Sequence, residues 1–237
     1  MIKRIIGALA FAVAAASPAS AADWGGFYLG LNAGGGMGNS QLADSCYFCA
    51  TENANPAFAA VGGQIGDNWQ MGAAVVGIEG DFDWDSLDHK GILGGSDSNE
   101  LFYKQRLDWF SSIRGRVGLG VDNALLYLTA GPAFGQINTP GIEYCVVSYC
   151  GGTPNPKATG NTFSVSGTRM GMAAGGGIEF KTDDAWSFRV EYLYADFGSA
   201  TAYLKGPSTC STGETCTVQN SLSTQMIRVA FNYHLGN

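Results

Sequence analysis

Eleven charged residues recur at strand-like spacing along this chain: Glu79, Asp81, Asp83, Asp108, Arg114, Arg116, Arg169, Glu179, Arg189, Glu191 and Arg228. Each falls on the parity opposite a neighbouring apolar run, so in extended chain all of them point to one face. Six acids and five arginines crowded on one face should pair with each other, because an enclosed charge without a partner is strongly unfavourable. Asp67 and Asp196 break the parity, both at the ends of runs. The chemistry expected of this set is mutual neutralisation: a lumen charge network rather than a catalytic dyad.

The remaining candidates for chemistry are weaker. Asp81-Phe82-Asp83-Trp84-Asp85 imitates the start of a calcium loop, but bulky residues separate its acids and the turn glycine is missing. Gly34-Gly35-Gly36 has no Lys-Ser/Thr after it, so it is not a phosphate loop. Six cysteines fall two by two into three polar segments: Cys46 and Cys49, Cys145 and Cys150, Cys210 and Cys216. Among the possible pairings the local ones are simplest, and three loop-local disulfides are the expectation. A zinc site would need a second half beside Cys46-x-x-Cys49, and His89 and His234 are expected at opposite ends of the fold. His89 alone could serve an outer-rim acid or base, and no nucleophile accompanies it. No metal, no cofactor and no enzymatic activity are expected.

These residues must be positioned by strands, because the alternation has period 2. Phe27, Leu29, Leu31 and Ala33 alternate with Tyr28, Gly30, Asn32 and Gly34. A weaker run follows near 57–67. Ala74, Val76, Ile78, Gly80, Phe82 and Trp84 alternate with Val75, Gly77, Glu79, Asp81 and Asp83. Leu107, Trp109, Ile113, Val117 and Leu119 oppose Asp108, Phe110, Ser112, Arg114 and Arg116. Further runs cover 126–134, 169–180, 188–194 and 227–235. Pro132 lacks a ladder donor and predicts a bulge or local break. About eight strands result. Tight turns at Asp67–Met71, Gly120–Ala124 and Lys181–Ala185 alternate with long polar segments near 39–56, 86–103, 138–162 and 198–222.

Residues 1–21 read as a secretory signal peptide. Lys3 and Arg4 precede an apolar run from Ile5 to Ala16, and Ala19-Ser20-Ala21 is a small-x-small cleavage site. Residues 22–237 then form one domain with no visible linker. Removing Lys3 and Arg4 leaves 11 basic against 20 acidic residues, which gives no footprint for nucleic acid. No later segment is apolar for 18 residues, so spanning helices are not expected. Glycine is abundant at 35 residues, and only 14% of the chain is charged, which suits strands packed around a crowded lumen.

The tryptophans choose between a soluble barrel and a membrane barrel. Trp24, Trp69 and Trp186 fall where strands leave short turns, and Trp84 and Trp109 flank a long polar segment. With Tyr192 and Tyr233 they are expected to form aromatic girdles at the two membrane–water boundaries. The apolar parity then faces lipid and the charged parity faces the lumen. An eight-stranded lumen is only wide enough for side chains to fill it.

Four segments carry a family resemblance. Val76-Gly77-Ile78-Glu79-Gly80-Asp81-Phe82-Asp83-Trp84 resembles the third strand of small alphaproteobacterial outer-membrane β-barrel proteins. This is the porin-like, outer-membrane immunogenic-protein group, similar in architecture to the OmpA membrane domain. Trp24-Gly25-Gly26-Phe27-Tyr28-Leu29-Gly30 looks like its first strand. Gly175-Gly176-Gly177-Ile178-Glu179-Phe180 and Arg189-Val190-Glu191-Tyr192-Leu193-Tyr194 are similar to its sixth and seventh strands. The resemblance implies an all-β, eight-stranded antiparallel up-and-down transmembrane barrel in the bacterial outer membrane, with both termini periplasmic. It implies outer-membrane lipid and lipopolysaccharide as surroundings, and recognition of the C-terminal strand by the barrel-assembly machinery. Arg228-x-Ala230-x-x-Tyr233-x-Leu235 keeps the spacing of that assembly signal but ends without the usual Phe. The function implied is a structural, envelope-integrity role with surface-exposed loops. The alternatives are a narrow porin-like channel and a surface adhesin or receptor with an unnamed loop ligand.

Overall fold

The computed structural model describes residues 22–44, 50–95, 99–145, 157–183, 185–205 and 216–235. Residues 1–21, expected as a signal peptide, lie outside these residues. Nine strands follow in order: β1 Gly26–Asp44, β2 Thr51–Ala54, β3 Ala57–Met71, β4 Ala74–Gly95, β5 Asn99–Val121, β6 Ala124–Cys145, β7 Lys157–Lys181, β8 Trp186–Tyr203 and β9 Thr217–Leu235. Sequential strands pair antiparallel from β3 to β9, and β1 pairs with both β3 and β9, so the sheet closes on itself. β2 pairs only with the upper part of β1, on the side taken by β3 lower down. Asn55–Pro56 separates β2 from β3, so the two form one interrupted stave and the wall has eight. Closure satisfies the backbone within the sheet, as a hydrocarbon environment requires.

Two connections at one end are two residues long: Gly72–Ala73 and Asp122–Asn123. Gly72 and Asp122 take left-handed φ values of 64° and 51°, which tight hairpins demand and which glycine and aspartate supply most cheaply. The first turn thus lies just beyond the expected Asp67–Met71, which instead completes β3. In the third, Asp183 accepts hydrogen bonds from the amides of Ala185 and Trp186, both at 2.8 Å. The described ends of the chain meet at this same end, where Phe27 pairs with Leu235.

At the other end the strands run much further than their apolar alternation. The segments near 86–103 and 138–162, expected as polar loops, largely continue β4 to β7. The reason is a change of surroundings along each strand. In the lower half, exposed Ile78, Phe82 and Trp84 alternate with buried Glu79, Asp81 and Asp83. Higher on the same strand, Leu87 and Leu93 turn inward, and exposed Asp88 and Lys90 turn outward. β9 changes likewise: Ile227, Val229 and Phe231 face out below, while Val218 and Leu222 face in above. The lower wall is a membrane barrel, and the upper wall is built as a barrel in water. From Ala74 to Trp84 the apolar exterior rises about 25 Å, at about 3.3 Å per residue and a tilt of about 40°. That is the height of a membrane-facing band.

On β5 this change coincides with a bulge between Leu107 and Phe110, where the register to β6 shifts. Leu107 therefore points inward with Phe110, whereas alternation had placed Leu107 outside. The β5–β6 ladder is interrupted twice more, opposite Pro132 and Pro140, whose partners across to β7 remain in register. Pro132 thus makes a local break without a register shift. Both prolines withhold a donor from the same seam, because residues eight apart share a side. By contrast β1 and β9 pair without a break from Phe27–Leu235 to Asp44–Val218. In native-state hydrogen exchange, amides of the β5–β6 seam between Arg106 and Gly141 should exchange faster than those of the β1–β9 seam. Equal protection of the two would refute this ranking.

Candidate functional site

The interior is stacked in layers. At the short-turn end Trp24, Val75, Leu125 and Tyr127 form an apolar floor. Above it lies the charged layer. Over that sit Phe58, Leu87, Leu107, Phe110, Ile137, Leu193, Phe197, Leu222 and Met226. A second apolar cluster, including Leu42, Leu93, Leu101, Tyr103, Phe163 and Val218, fills the upper extension. Burial first, and then the Glu52 carboxylate, push the Tyr103 phenol up to about 12, so it stays neutral.

The charged layer is one network. Arg114 donates to Glu79 and Asp81, both at 2.7 Å, to Glu191 at 3.0 Å and to the Ser112 hydroxyl at 2.8 Å. Arg228 reaches Glu191 at 2.8 Å, Asp83 at 3.0 Å and Asp81 at 3.1 Å. Arg189 pairs with Glu79, and Arg116 with Glu179 at 2.9 Å. All four guanidinium groups are buried, as are the five carboxylates. Tyr28 and Tyr127 donate to Glu79 and Glu191, each at 2.6 Å. The Arg116 guanidinium stacks 4.1 Å from the centre of the Tyr127 ring. Glycine makes room for these rings: a methyl on Gly66 would overlap Tyr28, and one on Gly177 would meet the Tyr127 hydroxyl end. Asp81, Asp83 and Arg189 each keep polar atoms without a protein partner among the described residues, so the network is dense but not saturated.

Glu79 thus meets Arg114, as antiparallel β4 and β5 predict. The group around Arg189, Glu191 and Arg228 is not a separate cluster, because Arg114 and Glu79 bridge it to the rest. Two residues of the expected set stand apart. Asp108 sits in the bulge, faces outward, and lies 3.6 Å from Arg106 on the same exposed face. The bulge reversed its parity, which simple alternation does not register. Arg169 points inward higher up, where it donates to the Asn220 side chain at 2.7 Å and has no ion pair among the described residues.

The girdle expectation needs one correction. Trp69, Trp186 and Tyr233 lie exposed near the short turns, and Trp186 stacks on Phe231. Trp84, Trp109 and Phe82 form the opposite aromatic group, with Tyr192 exposed on β8. Trp24 is fully buried. It precedes β1 and folds under the barrel, packing on His234 and lying 5.8 Å from the Lys181 ammonium. A tryptophan beside a turn can cap the lumen as well as anchor to lipid.

The floor also joins a hydroxyl, an imidazole and a carboxylate, an arrangement invisible in the sequence because Ser187, His234 and Glu179 lie on different strands. Ser187 donates to Glu179 at 2.6 Å and therefore faces His234 Nε2, 3.0 Å away, as an acceptor. Glu179 approaches that same imidazole nitrogen, at 3.8 Å, and Nδ1 has no partner among the described residues. A nucleophile needs the opposite wiring, with serine donating to the imidazole and the acid on its far nitrogen. His89 lies far above, on β4.

Cys216 is buried and disulfide-bonded. Cys46, Cys49, Cys150 and Cys210 lie outside the described residues. Among the described residues no cluster of three or more His, Cys, Asp or Glu is placed to hold a metal ion.

Comparison with known proteins agrees with this architecture. The chain is 30% identical over 213 residues to a 25 kDa outer-membrane immunogenic protein of Brucella abortus biovar 1 (strain 9-941), covering 89% of this chain and 79% of the relative. It is 30% identical over 181 residues to a 22 kDa outer membrane protein of Rhizobium leguminosarum bv. viciae, covering 76% and 67%. Among solved structures, the outer membrane protein OprG from Pseudomonas aeruginosa superposes with a TM-score of 0.55 at 12% identity, covering 90% of this chain and 97% of that one, a likeness of fold. Residues 6–234 match the family described as outer membrane protein beta-barrel domain. A closed antiparallel wall with a lipid-height apolar exterior, and a match over nearly the whole chain, place this protein in that outer-membrane β-barrel family.

Proposed function

We propose that this integral outer-membrane barrel is a plugged wall element that supports envelope integrity and carries its upper extension to the cell surface. The supporting observation is the layered lumen. A solute would have to part Phe110, Phe197 and Met226, then displace guanidinium groups each held by carboxylates. The short turns and both described chain ends would face the periplasm, and residues 1–21 would be the signal peptide removed beforehand. β9 would offer Tyr233 and Leu235 to the assembly machinery. Lipopolysaccharide would surround the upper exterior. The loop disulfides would be Cys46–Cys49, Cys145–Cys150 and Cys210–Cys216. No enzymatic role is proposed, given the reversed wiring of Ser187 and His234.

A narrow channel is the second reading, favoured by the unpartnered atoms on Asp81, Asp83 and Arg189. Planar-bilayer recording separates the two. Refolded mature protein should give no steady pore across the usual voltage range. A large, stable conductance would sink the plug.

A further inference from the structure

The upper exterior carries an arrangement that the layered lumen does not explain. Lys90 on β4 and Lys104 on β5 are directly opposed Cα partners, and both side chains face outward. Like charges opposed across an antiparallel pair destabilise it. Lys104 is shared with Asp88 at 2.7 Å, while Lys90 is exposed and has no ion pair among the described residues. Arg106 lies next on β5, against Asp108. The chain as a whole carries a net charge of −7, yet this strip, with Lys90, Lys104 and Arg106 against Asp88 and Asp108, is positive by one.

The lysines border a groove of about 660 Å³ across β4, β5 and β6, whose other walls include Ile92, Phe102, Pro140 and Ile142. Gly91 and Gly141 form the wall behind it, with their open sides turned inward onto the Tyr103 and Phe163 rings. Among the groove's lining residues the only charged side chains are the two lysines. Charge complementarity therefore asks for an anion, and the apolar walls ask for a ring face beside it.

Height narrows the source. The Trp84–Trp109 pair marks the outer boundary of the apolar band, and Lys90 stands six residues above Trp84. At about 3.3 Å per residue and a tilt of about 40°, that is about 15 Å above the hydrocarbon. The headgroup zone of a phospholipid is only about 5–8 Å deep per leaflet. A lipid whose headgroup carries several anionic sugars reaches further.

We propose that this groove binds the phosphorylated saccharide headgroup of an outer-leaflet glycolipid. The anion sits between Lys90 and Lys104, and a sugar ring lies against Phe102 and Ile142. The inference rests on the membrane orientation proposed above. It turns the lipid surroundings of the barrel into one defined site.

The test uses the refolded full mature chain in detergent micelles. The probe is purified rough-type lipopolysaccharide, its enzymatically dephosphorylated form, or phosphatidylglycerol, and binding is read by native mass spectrometry and titration. Wild type should bind the phosphorylated glycolipid, and Lys90→Ala/Lys104→Ala should bind it about tenfold or more weakly, since each lost contact is charge-assisted. Lys205→Ala, which removes an exposed cation two residues beyond β8, should bind like wild type. The heat-dependent gel shift of a folded barrel should persist in every variant, so a lost site is distinguishable from a lost barrel. Undiminished binding by the double variant would overturn the site, and equal binding of the dephosphorylated lipid would overturn its chemistry. Equal binding of phosphatidylglycerol would overturn the glycolipid assignment. Concentration-dependent dimers abolished by Phe102→Ala would give the groove to a second copy of the chain instead.

Discussion

Arg114→Met should destabilise the folded barrel by about 3–5 kcal/mol, the usual result of stripping one partner from buried charges. Arg114 is the node of the network, contacting Glu79, Asp81 and Glu191 at once. Methionine fills much of the volume and supplies no donor, so three carboxylates lose a shared cation in a space water enters poorly. Arg169→Met is the matched control. It removes the same charge from a residue that hydrogen-bonds only to Asn220 among the described residues, and should cost no more than about 1–3 kcal/mol. Urea unfolding in micelles, followed by tryptophan fluorescence, compares the two. If both variants shift the midpoint equally, the network contributes nothing as a unit.

The second large effect concerns the outside of the wall. Ile78 faces outward midway between the turn at Gly72–Ala73 and the aromatic group at Trp84. An arginine there should cost about 2–4 kcal/mol of insertion free energy. Gln219→Arg, also outward-facing but on the upper wall, should cost nothing measurable, because its surroundings are aqueous. Folding yield into lipid vesicles reads the difference directly. Comparable losses at both positions would mean that the boundary between membrane wall and aqueous wall has been drawn in the wrong place.

That boundary also explains what could be read from residue order alone. Period-2 alternation reports which side chains share a face. It identifies the lower strands because apolar residues there stay on one parity for many positions. It does not report what each face touches. Above Trp84 the parity persists while its meaning inverts, so Leu87 and Leu93 look like stray apolar residues among Asp88, His89 and Lys90. A polar loop and an aqueous strand have nearly the same composition. The inward leucines at matching parity were the available signal. Leu107 and Asp108 were misplaced for a different reason: a bulge adds one residue, and no local composition marks it. Trp24 was misplaced because tryptophan suits both a lipid boundary and the floor of a lumen. The charges were legible because arginine and glutamate tolerate so few environments inside a closed sheet. Their joining into one network depends on strands distant in sequence, such as Asp83 with Arg228, and on side chains long enough to cross the lumen.

The unbroken pairing of β1 with β9 bears on the order of biosynthesis. The two strands that seal the wall, β1 and β9, are the first and last of the described strands to leave the ribosome. Until β9 is made, β1 has no lasting partner on that side, and every nascent intermediate carries two raw sheet edges. A chain stalled after β8 would hold seven staves and much of the charged layer, yet would lack Arg228 and the means to close. Completion is therefore an all-or-none checkpoint written into topology. A truncated product is recognisable by its open edge alone.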